Sequence, residues 1–293
     1  MVPTCVYCIQ RVNPAEAVRS VIKFGSFVRK NDGEVVARFR CRDCGKTFSS
    51  TTRSRCYKQK KRHLNPQIYI QLVSGTSQRR IARMLRINLK TVVRKFILLG
   101  LHAKEILDEL NKTHSPSLKV EFDDLETFEH SKCKPLSVTM MVEHKSRRIL
   151  NYRVARMPAK GLLAAISRQK YGIRKDERPA ARKSLFQELQ PHICESALIK
   201  SDMNPSYVND VKRHFPKARH QVFKGRRGCV VGQGELKAIG FDPIFSLNHT
   251  FAMLRANINR LFRRTWNTTK KPECLDLHIA LYVLYHNLVL IRR

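Results

Sequence analysis

Two pairs of cysteines near the start of the chain have the spacing of metal ligands. They occur in Cys5-Val6-Tyr7-Cys8 and in Cys41-Arg42-Asp43-Cys44. Two residues between thiolates let both sulfurs of a tight turn reach one ion, and two such turns complete a tetrahedral shell for Zn²⁺. We therefore predict a structural zinc site at these four cysteines, the alternative being four reduced, unpaired thiols. The remaining cysteines have no such partners, and we expect them to be structural: Cys56, Cys133, Cys194, Cys229 and Cys274.

A group of carboxylates forms a second candidate site. Residues 45–104 contain fifteen Lys or Arg and no Asp or Glu, whereas residues 105–129 contain eight acids and two lysines. Within the acidic stretch lies the strand-like run Val120-Glu121-Phe122-Asp123-Asp124. A chain of formal net charge +34 is suited to a polyanion, and carboxylates repel phosphate. The simplest reason to collect acids here is to hold a divalent metal between acid and phosphate, which favours DNA chemistry.

Composition narrows the class of protein. A length of 293 residues allows two domains, or one large domain with appendages, and a hydrophobic content of 42% is typical of folded chains. No run approaches the ~20 apolar residues of a membrane span, so we expect no membrane partner. The N-terminus lacks the features of a signal peptide. We expect a reducing cytoplasm, in which the cysteines serve as ligands or core residues rather than disulfides.

Residues 1–60 are predicted to form a zinc ribbon. The second cysteine pair sits between two strand-like segments, and the long spacer between the pairs predicts an extended hairpin around residues 23–36. So small a domain has little core, so the metal would supply much of its folding free energy.

Residues 61–114 are predicted to form a helical helix-turn-helix domain that binds DNA. Asn65-Pro66 opens a first helix, Ser77 caps a second that runs through Leu85, and Leu89–Leu99 forms a third. Val92, Val93 and Phe96 would face inward, leaving the polar side chains of this helix for a DNA groove. The alternative is a basic packing unit without base contacts. The candidate DNA-binding residues of this domain are Arg79, Arg80, Lys90, Thr91, Arg94 and Lys95.

Residues 115–293 alternate between strand-like and helical segments, so the whole chain is predicted to be an α+β protein of several domains. Strands are predicted at residues 118–128, 136–142, 149–156, 197–202 and 218–223, and helices at 160–171, 180–192, 207–215, 247–265 and 275–290. This is the order of a ribonuclease-H-like fold, which has three successive strands, then a helix, a strand, a helix, a strand and closing helices. A mixed five-stranded sheet is therefore expected.

Three separated motifs resemble those of DDE transposases from bacterial insertion elements with an N-terminal zinc ribbon and helix-turn-helix. Phe122-Asp123-Asp124-Leu125-Glu126-Thr127-Phe128 is similar to the first-strand motif, and Ser201-Asp202-Met203-Asn204 to the fourth-strand motif. The tract from Asn248 to Arg255 resembles the third-acid helix, in which an acid precedes a basic residue by seven positions. The resemblance implies catalytic metal ligands at Asp123, Asp202 and Asn248, which would bind two Mg²⁺ or Mn²⁺ ions.

The third ligand departs from the family pattern, because Asn248 stands where an acid is usual. One branch of these elements is similar in carrying Asn, whose carbonyl oxygen is still a hard ligand for Mg²⁺. Glu235 and His249 are alternative ligands, and a site without a third ligand is a further alternative. The helix that carries Asn248 is basic, and we expect Arg255 and Arg263 on it to bind DNA.

The resemblance implies a transposase that binds the terminal inverted repeats of its element and catalyses strand cleavage and transfer to target DNA. It further implies a bacterial, nucleoid-associated protein that is a dimer or larger on double-stranded DNA. Two other classes of protein remain open. One is a catalytically inactive relative that acts as a DNA-binding repressor, which Asn248 favours, and the other is a zinc-ribbon transcription regulator without enzymatic ancestry.

Overall fold

The computed structural model describes residues 4–8, 20–30, 32–224, 229–230, 233–237, 242–262 and 267–291. The chain divides into two compact units, residues 1–67 and residues 68–293. The first predicted boundary, at residue 60, lies close to this division. The second, at residue 114, falls within the larger unit, and the three-domain organisation stays a prediction. Among the described residues, no helix is long and apolar enough to cross a membrane.

The smaller unit contains a three-stranded antiparallel sheet. Its strands are β1 Val21–Val28, β2 Val35–Cys41 and β3 Thr47–Ser49, in the spatial order β1-β2-β3. Val28 pairs with Val35 at the turn, so the hairpin predicted around residues 23–36 is confirmed. Val21, Phe39 and Phe48 pack with the cysteine side chains to form a small core.

Three helices follow the smaller sheet. They are α1 Asn65–Leu72, α2 Gln78–Met84 and α3 Leu89–Thr113. The Ser77 hydroxyl accepts a hydrogen bond from the Arg80 backbone N–H, which confirms the predicted cap of α2, and Asn88 caps α3 in the same way. The predicted end of α3 at Leu99 is wrong, because the helix continues for a further fourteen residues. Gly100 does not break it: a Cβ there would lie 2.8 Å from the Leu277 Cβ, so glycine is required by close packing.

The larger unit is built on the predicted mixed five-stranded sheet, which is confirmed. β4 lies at its centre, antiparallel to β5 on one side and parallel to β7 on the other, with the order β6-β5-β4-β7-β8. The strands are β4 Ser117–Phe128, β5 Pro135–Glu143, β6 Ile149–Arg156, β7 Ile193–Asp202 and β8 Arg219–Phe223. A separate two-stranded ribbon pairs β9 Cys229–Val230 with β10 Gln233–Lys237.

Helices cover the sheet and bury its apolar side chains. They are α4 Leu163–Tyr171, α5 Arg178–Leu189, α6 Pro205–His214, α7 Phe245–Asn257 and α8 Pro272–Tyr285. Phe122 of β4 packs edge-on against Phe186 of α5, with ring centroids 5.0 Å apart, and against Tyr207 of α6. The predicted continuation of α7 to Thr265 is wrong. Ile258 adopts an extended backbone, and a short 3₁₀ turn follows at Asn259–Leu261.

Candidate functional site

The four predicted zinc ligands lie together in the smaller unit. The sulfur atoms of Cys5, Cys8, Cys41 and Cys44 are all within 4.8 Å of one another, with Cys5 Sγ 3.7 Å from Cys44 Sγ. The first three of these side chains are buried and Cys44 is half-buried. This group could hold a metal ion such as zinc.

The chemistry of this thiol group fits a cation. Burial raises the pKa of Cys5, because a thiolate away from water is unfavourable without a counter-charge. The backbone N–H of Lys46 donates to Cys44 and lowers the pKa of that thiol to about 7. A bound divalent ion would allow all four thiols to deprotonate together, so removal of the ion should be costly to this small core.

Asp123 and Asp202 come from strands far apart in sequence and lie side by side. Glu121 of β4 pairs with Lys200 of β7 in parallel register, and the two aspartates each follow two residues later. Burial, and then the negative charge of Asp202, raises the pKa of Asp123 to about 7. The charge of Asp202 thus opposes ionisation of Asp123, as expected of a carboxyl group that lies close to a second acid.

Asp202 does not act as the cap of the helix that follows it. Its Oδ1 accepts from the backbone N–H of Asn204 at 3.0 Å, and Asn204 itself caps α6 through the Ser206 N–H. The structural role that a strand-terminal aspartate often has is therefore taken by Asn204.

Sequence reasoning missed two residues of this acidic group: Tyr207, which contacts Asp123, and Arg182, which contacts Asp124. The buried Tyr207 hydroxyl donates to Asp123 Oδ1 at 3.1 Å. The guanidinium of Arg182 lies over the Tyr207 ring, 4.9 Å from its centroid, and 3.7 Å from Asp124 Oδ2. Arg182 also donates to Asp210 at 2.5 Å, so its buried charge is balanced by two carboxylates. No sequence pattern singled out either residue, because they lie on different helices, α5 and α6, which bring them to these acids only after both helices pack on the sheet.

Glu121 ties the predicted third-ligand helix to the central strand. Its side chain is fully buried, its Oε2 accepts from the Leu247 backbone N–H at 2.9 Å, and His144 Nδ1 lies 2.5 Å from its Oε1. Because residues two apart on a strand share a face, Glu121 and Asp123 project from the same side of the sheet. The first turn of α7 therefore covers the face that carries Asp123.

Asn248 follows Leu247 on this first turn and is exposed. Its amide nitrogen donates to Asp242 Oδ2 at 2.9 Å, whereas a metal would be bound by the amide carbonyl oxygen. Within the described ranges, the cysteine group is the one set of three or more Cys, His, Asp or Glu side chains close enough to share an ion. The two aspartates thus have no third carboxylate or imidazole partner among these residues.

The two alternative third metal ligands are His249, whose surroundings disfavour a bound cation, and Glu235, whose side chain is not described. The Arg147 guanidinium lies 3.1 Å from His249 Nδ1, and a cation at this distance disfavours a second cation on the ring. Burial, followed by the charge of Arg147, lowers the pKa of His249. Glu235 lies in strand β10, and its side chain is outside the described residues.

The candidate DNA-binding residues differ in their exposure. Arg79, Arg80, Lys90 and Arg94 are exposed and Thr91 is half-buried. The expectation that Lys95 faces a groove is wrong, because its side chain is buried. The reason is helical spacing: Lys95 lies three residues after Val92 and next to Phe96, on the face that packs inward. Arg255 is half-buried, and Arg263 lies outside the described residues.

Comparisons with known proteins do not assign this chain to a family. No protein-family model matches it, and no similar sequence is found among curated proteins.

Proposed function

We propose that this protein is a DNA phosphoryl transferase of the DDE transposase type, with Asn in place of the third acid. The observation that carries the proposal is the pairing of Asp123 with Asp202 in a chain of net charge +34. A carboxyl group whose pKa is raised by burial and by a neighbouring acid, as that of Asp123 is, is costly to the fold and is typical of functional sites. In a protein suited to a polyanion, a divalent cation between these acids and phosphate accounts for their presence.

The architecture of the larger unit supports the proposal. Three antiparallel strands followed by two parallel ones agree with a ribonuclease-H-like sheet. Asp123 lies in the central strand and Asp202 at the end of its parallel neighbour, in agreement with the motifs that resemble the family. The first turn of α7, which carries Asn248, is held on the same face by Glu121.

In this proposal Asp123, Asp202 and the carbonyl oxygen of Asn248 would hold Mg²⁺ or Mn²⁺. The bound ions would polarise the scissile phosphate and favour deprotonation of the attacking water or 3′-hydroxyl. Tyr207 orients the Asp123 carboxylate through its hydrogen bond, and Arg182 neutralises Asp124, so that Asp124 does not compete for the ions.

The DNA-binding parts of the proposal are a zinc ribbon in the smaller unit and a helix-turn-helix formed by α1 to α3. The exposed Arg79, Arg80, Lys90 and Arg94 would contact the phosphates or base edges of duplex DNA. These contacts would supply recognition of the element ends, while the carboxylate pair supplies the chemistry.

The test of this function is a cleavage and strand-transfer assay on duplexes that carry the inverted repeats flanking the gene. We expect Mg²⁺- or Mn²⁺-dependent activity in the wild type, and loss of at least about 100-fold in Asp123→Asn and Asp202→Asn with end binding retained. Glu126→Gln is the matched control, because Glu126 is exposed on the same strand. Asn248→Ala should be inactive. Wild-type rates in the aspartate variants would refute the site.

A binding measurement tests the ions without relying on activity. At pH 8, millimolar Mn²⁺ should raise the melting temperature of the wild type, because an ion that binds only the folded state stabilises it. Asp123→Asn should show no such increase, and Glu126→Gln should respond as the wild type does. An equal increase in all three proteins would place the ions elsewhere.

A second candidate function is DNA-binding repression. In this case the protein would be a catalytically inactive relative of the transposases that represses its own insertion element. Two observations favour it: Asn248 contacts Asp242, and within the described residues no third carboxylate is placed to share an ion with the two aspartates. Activity that is absent in the wild type and appears in Asn248→Glu would establish this function instead.

A further inference from the structure

The smaller unit contains a basic cleft that the proposed chemistry does not use. It has a volume of about 460 Å³, within the range of small-molecule sites. Five cationic side chains and no acidic ones line it, together with the hydroxyl-bearing Thr47, Ser49, Thr51 and Thr52. The cations are Arg29, Arg38, Lys58, Lys60 and Arg62.

Two guanidinium groups in this cleft have donors without an acceptor. The NH1 atom of Arg29 and the Nε atom of Arg62 are buried, and neither has a hydrogen-bond partner. The other two nitrogens of Arg29 are already engaged by two carboxylates, since they donate to Asp32 at 2.7 and 2.6 Å and to Glu34, and the NH1 atom alone is left for a further acceptor. A buried donor without a partner is unfavourable, so an oxygen-rich anion that accepted hydrogen bonds from both groups would bind favourably here.

Aromatic rings lie among these cations. Tyr57 and Phe27 both line the cleft, and each is 44% exposed. Lys58 Nζ lies 5.5 Å from the centroid of the Tyr57 ring. Lys58 also adopts the left-handed backbone region, at φ 60°, which is unusual for a side chain of this kind. Cations that accept phosphate and exposed rings that stack on bases are the combination found in grooves for single-stranded nucleic acid.

We infer that this cleft binds one unpaired nucleotide of a DNA strand, with its phosphate at Arg29 and Arg62 and its base against Tyr57. A base within a duplex is already stacked on its neighbours, so an exposed ring can engage it only where the strand is open. The cleft is therefore a site for single-stranded DNA, separate from the helices that would bind duplex. The inference does not depend on the carboxylate pair.

The test compares single-stranded and duplex binding by the full-length protein. Fluorescence anisotropy would measure the Kd for a labelled twelve-nucleotide strand and for a hairpin duplex, without divalent metal and at fixed salt. We expect Tyr57→Ala and Arg62→Gln each to weaken single-strand binding by about 10-fold, since stacking on one ring is worth about 1–3 kcal/mol. Duplex binding should change by less than about twofold, and Tyr57→Phe should bind the single strand as the wild type does.

The matched controls are Tyr7→Ala and Arg40→Gln, and both should bind the single strand as the wild type does. Tyr7 is a ring of similar exposure, 48%, in the same unit, and Arg40 is an exposed arginine of β2; neither residue lines the cleft. Zinc content, unchanged in the cleft variants, would show that the unit is still folded. Single-strand affinity that is unchanged in both cleft variants would overturn the inference. Equal losses for duplex and single strand would also overturn it, because the cleft would then be a general phosphate contact.

Discussion

At the scale of single residues, the distinctive feature is a carboxyl group whose charged form the fold disfavours. Asp123 lies in the central strand, where it contacts the Tyr207 hydroxyl and the Asp124 backbone N–H and is close to the carboxylate of Asp202. The hydrogen bond from Tyr207 favours ionisation, but burial and the neighbouring charge outweigh it and raise the pKa to about 7. Ionisation of Asp123 beside Asp202 therefore destabilises the folded protein, and a cation bound between the two carboxylates would reduce this destabilisation.

The stability of the protein without metal should therefore depend on pH through Asp123. The pKa rises from an ordinary value of 3.8 to about 7 on folding. Between these values the folded chain holds a proton that the unfolded chain has released, so stability falls as pH rises through this range. Asp123→Asn removes the effect, and we expect its stability relative to wild type to increase by about 1–3 kcal/mol between pH 5 and pH 8.

Urea unfolding of both proteins across this pH range, without divalent ions, measures the difference. Glu126→Gln is the control and should follow the wild-type pH profile, because Glu126 is exposed on the same strand. Parallel profiles for Asp123→Asn and wild type would show that Asp123 ionises normally.

At the scale of elements, the position of α7 depends on one buried acid of the central strand. Glu121 accepts from the N-terminal turn of α7 with one oxygen and contacts His144 with the other. The negative charge also complements the positive end of the helix dipole. Lys145 adds a second attachment, its backbone N–H donating to the Ser246 hydroxyl at 2.9 Å. The first turn of α7, which carries Asn248, thus keeps its place on the sheet only if Glu121 holds it.

Glu121→Gln should destabilise the protein and disturb the site. The amide oxygen can still accept from the Leu247 N–H, but an NH2 group then faces His144 and the negative charge at the N-terminus of the helix is lost, at a cost of about 1 kcal/mol. Thermal unfolding would measure this cost, and a decrease in Mn²⁺ affinity larger than that of Glu126→Gln would show that the site has moved with the helix. A variant with wild-type stability would contradict the role given to Glu121.

At the scale of the whole molecule, the two units differ in what stabilises them. The smaller unit has a core of a few side chains packed around the cysteines, whereas the larger unit buries both faces of a five-stranded sheet. A small core seldom supports a fold without a metal or a disulfide, and the described cysteines are all free.

Zinc removal should therefore unfold the smaller unit selectively. We expect Cys41→Ser, or chelation of the wild type, to make residues 1–67 sensitive to protease while a fragment that begins near residue 68 resists. Mass spectrometry of limited-digestion products, with the zinc content measured in parallel, would test this. Cys194→Ser is the control, since Cys194 lies outside the four-cysteine group, in strand β7. Resistance of residues 1–67 in the zinc-free protein would show that the metal is not structural.

The sequence by itself determined the features that depend on local pattern. The spacing within Cys5–Cys8 and Cys41–Cys44 brings the thiols together, because a tight turn fixes their geometry. Strand patterning gave the five-stranded sheet, and Ser77 marked the start of α2. The cysteine pairs and the helix cap could be predicted because they depend on residues near one another in the chain, and the sheet could be predicted because it depends on the order of the strands.

Only the tertiary structure decided the features that depend on packing between distant segments. Glycine is required at position 100, inside α3, because Leu277 packs too closely for a side chain there. Lys95 is buried because it lies on the face of α3 that packs inward. The pKa of Asp123 depends on Asp202, and the hydrogen bond of Tyr207 depends on where α6 meets the sheet. Such contacts follow no periodic pattern, since their energies arise from burial and from charges that approach only when the chain has folded.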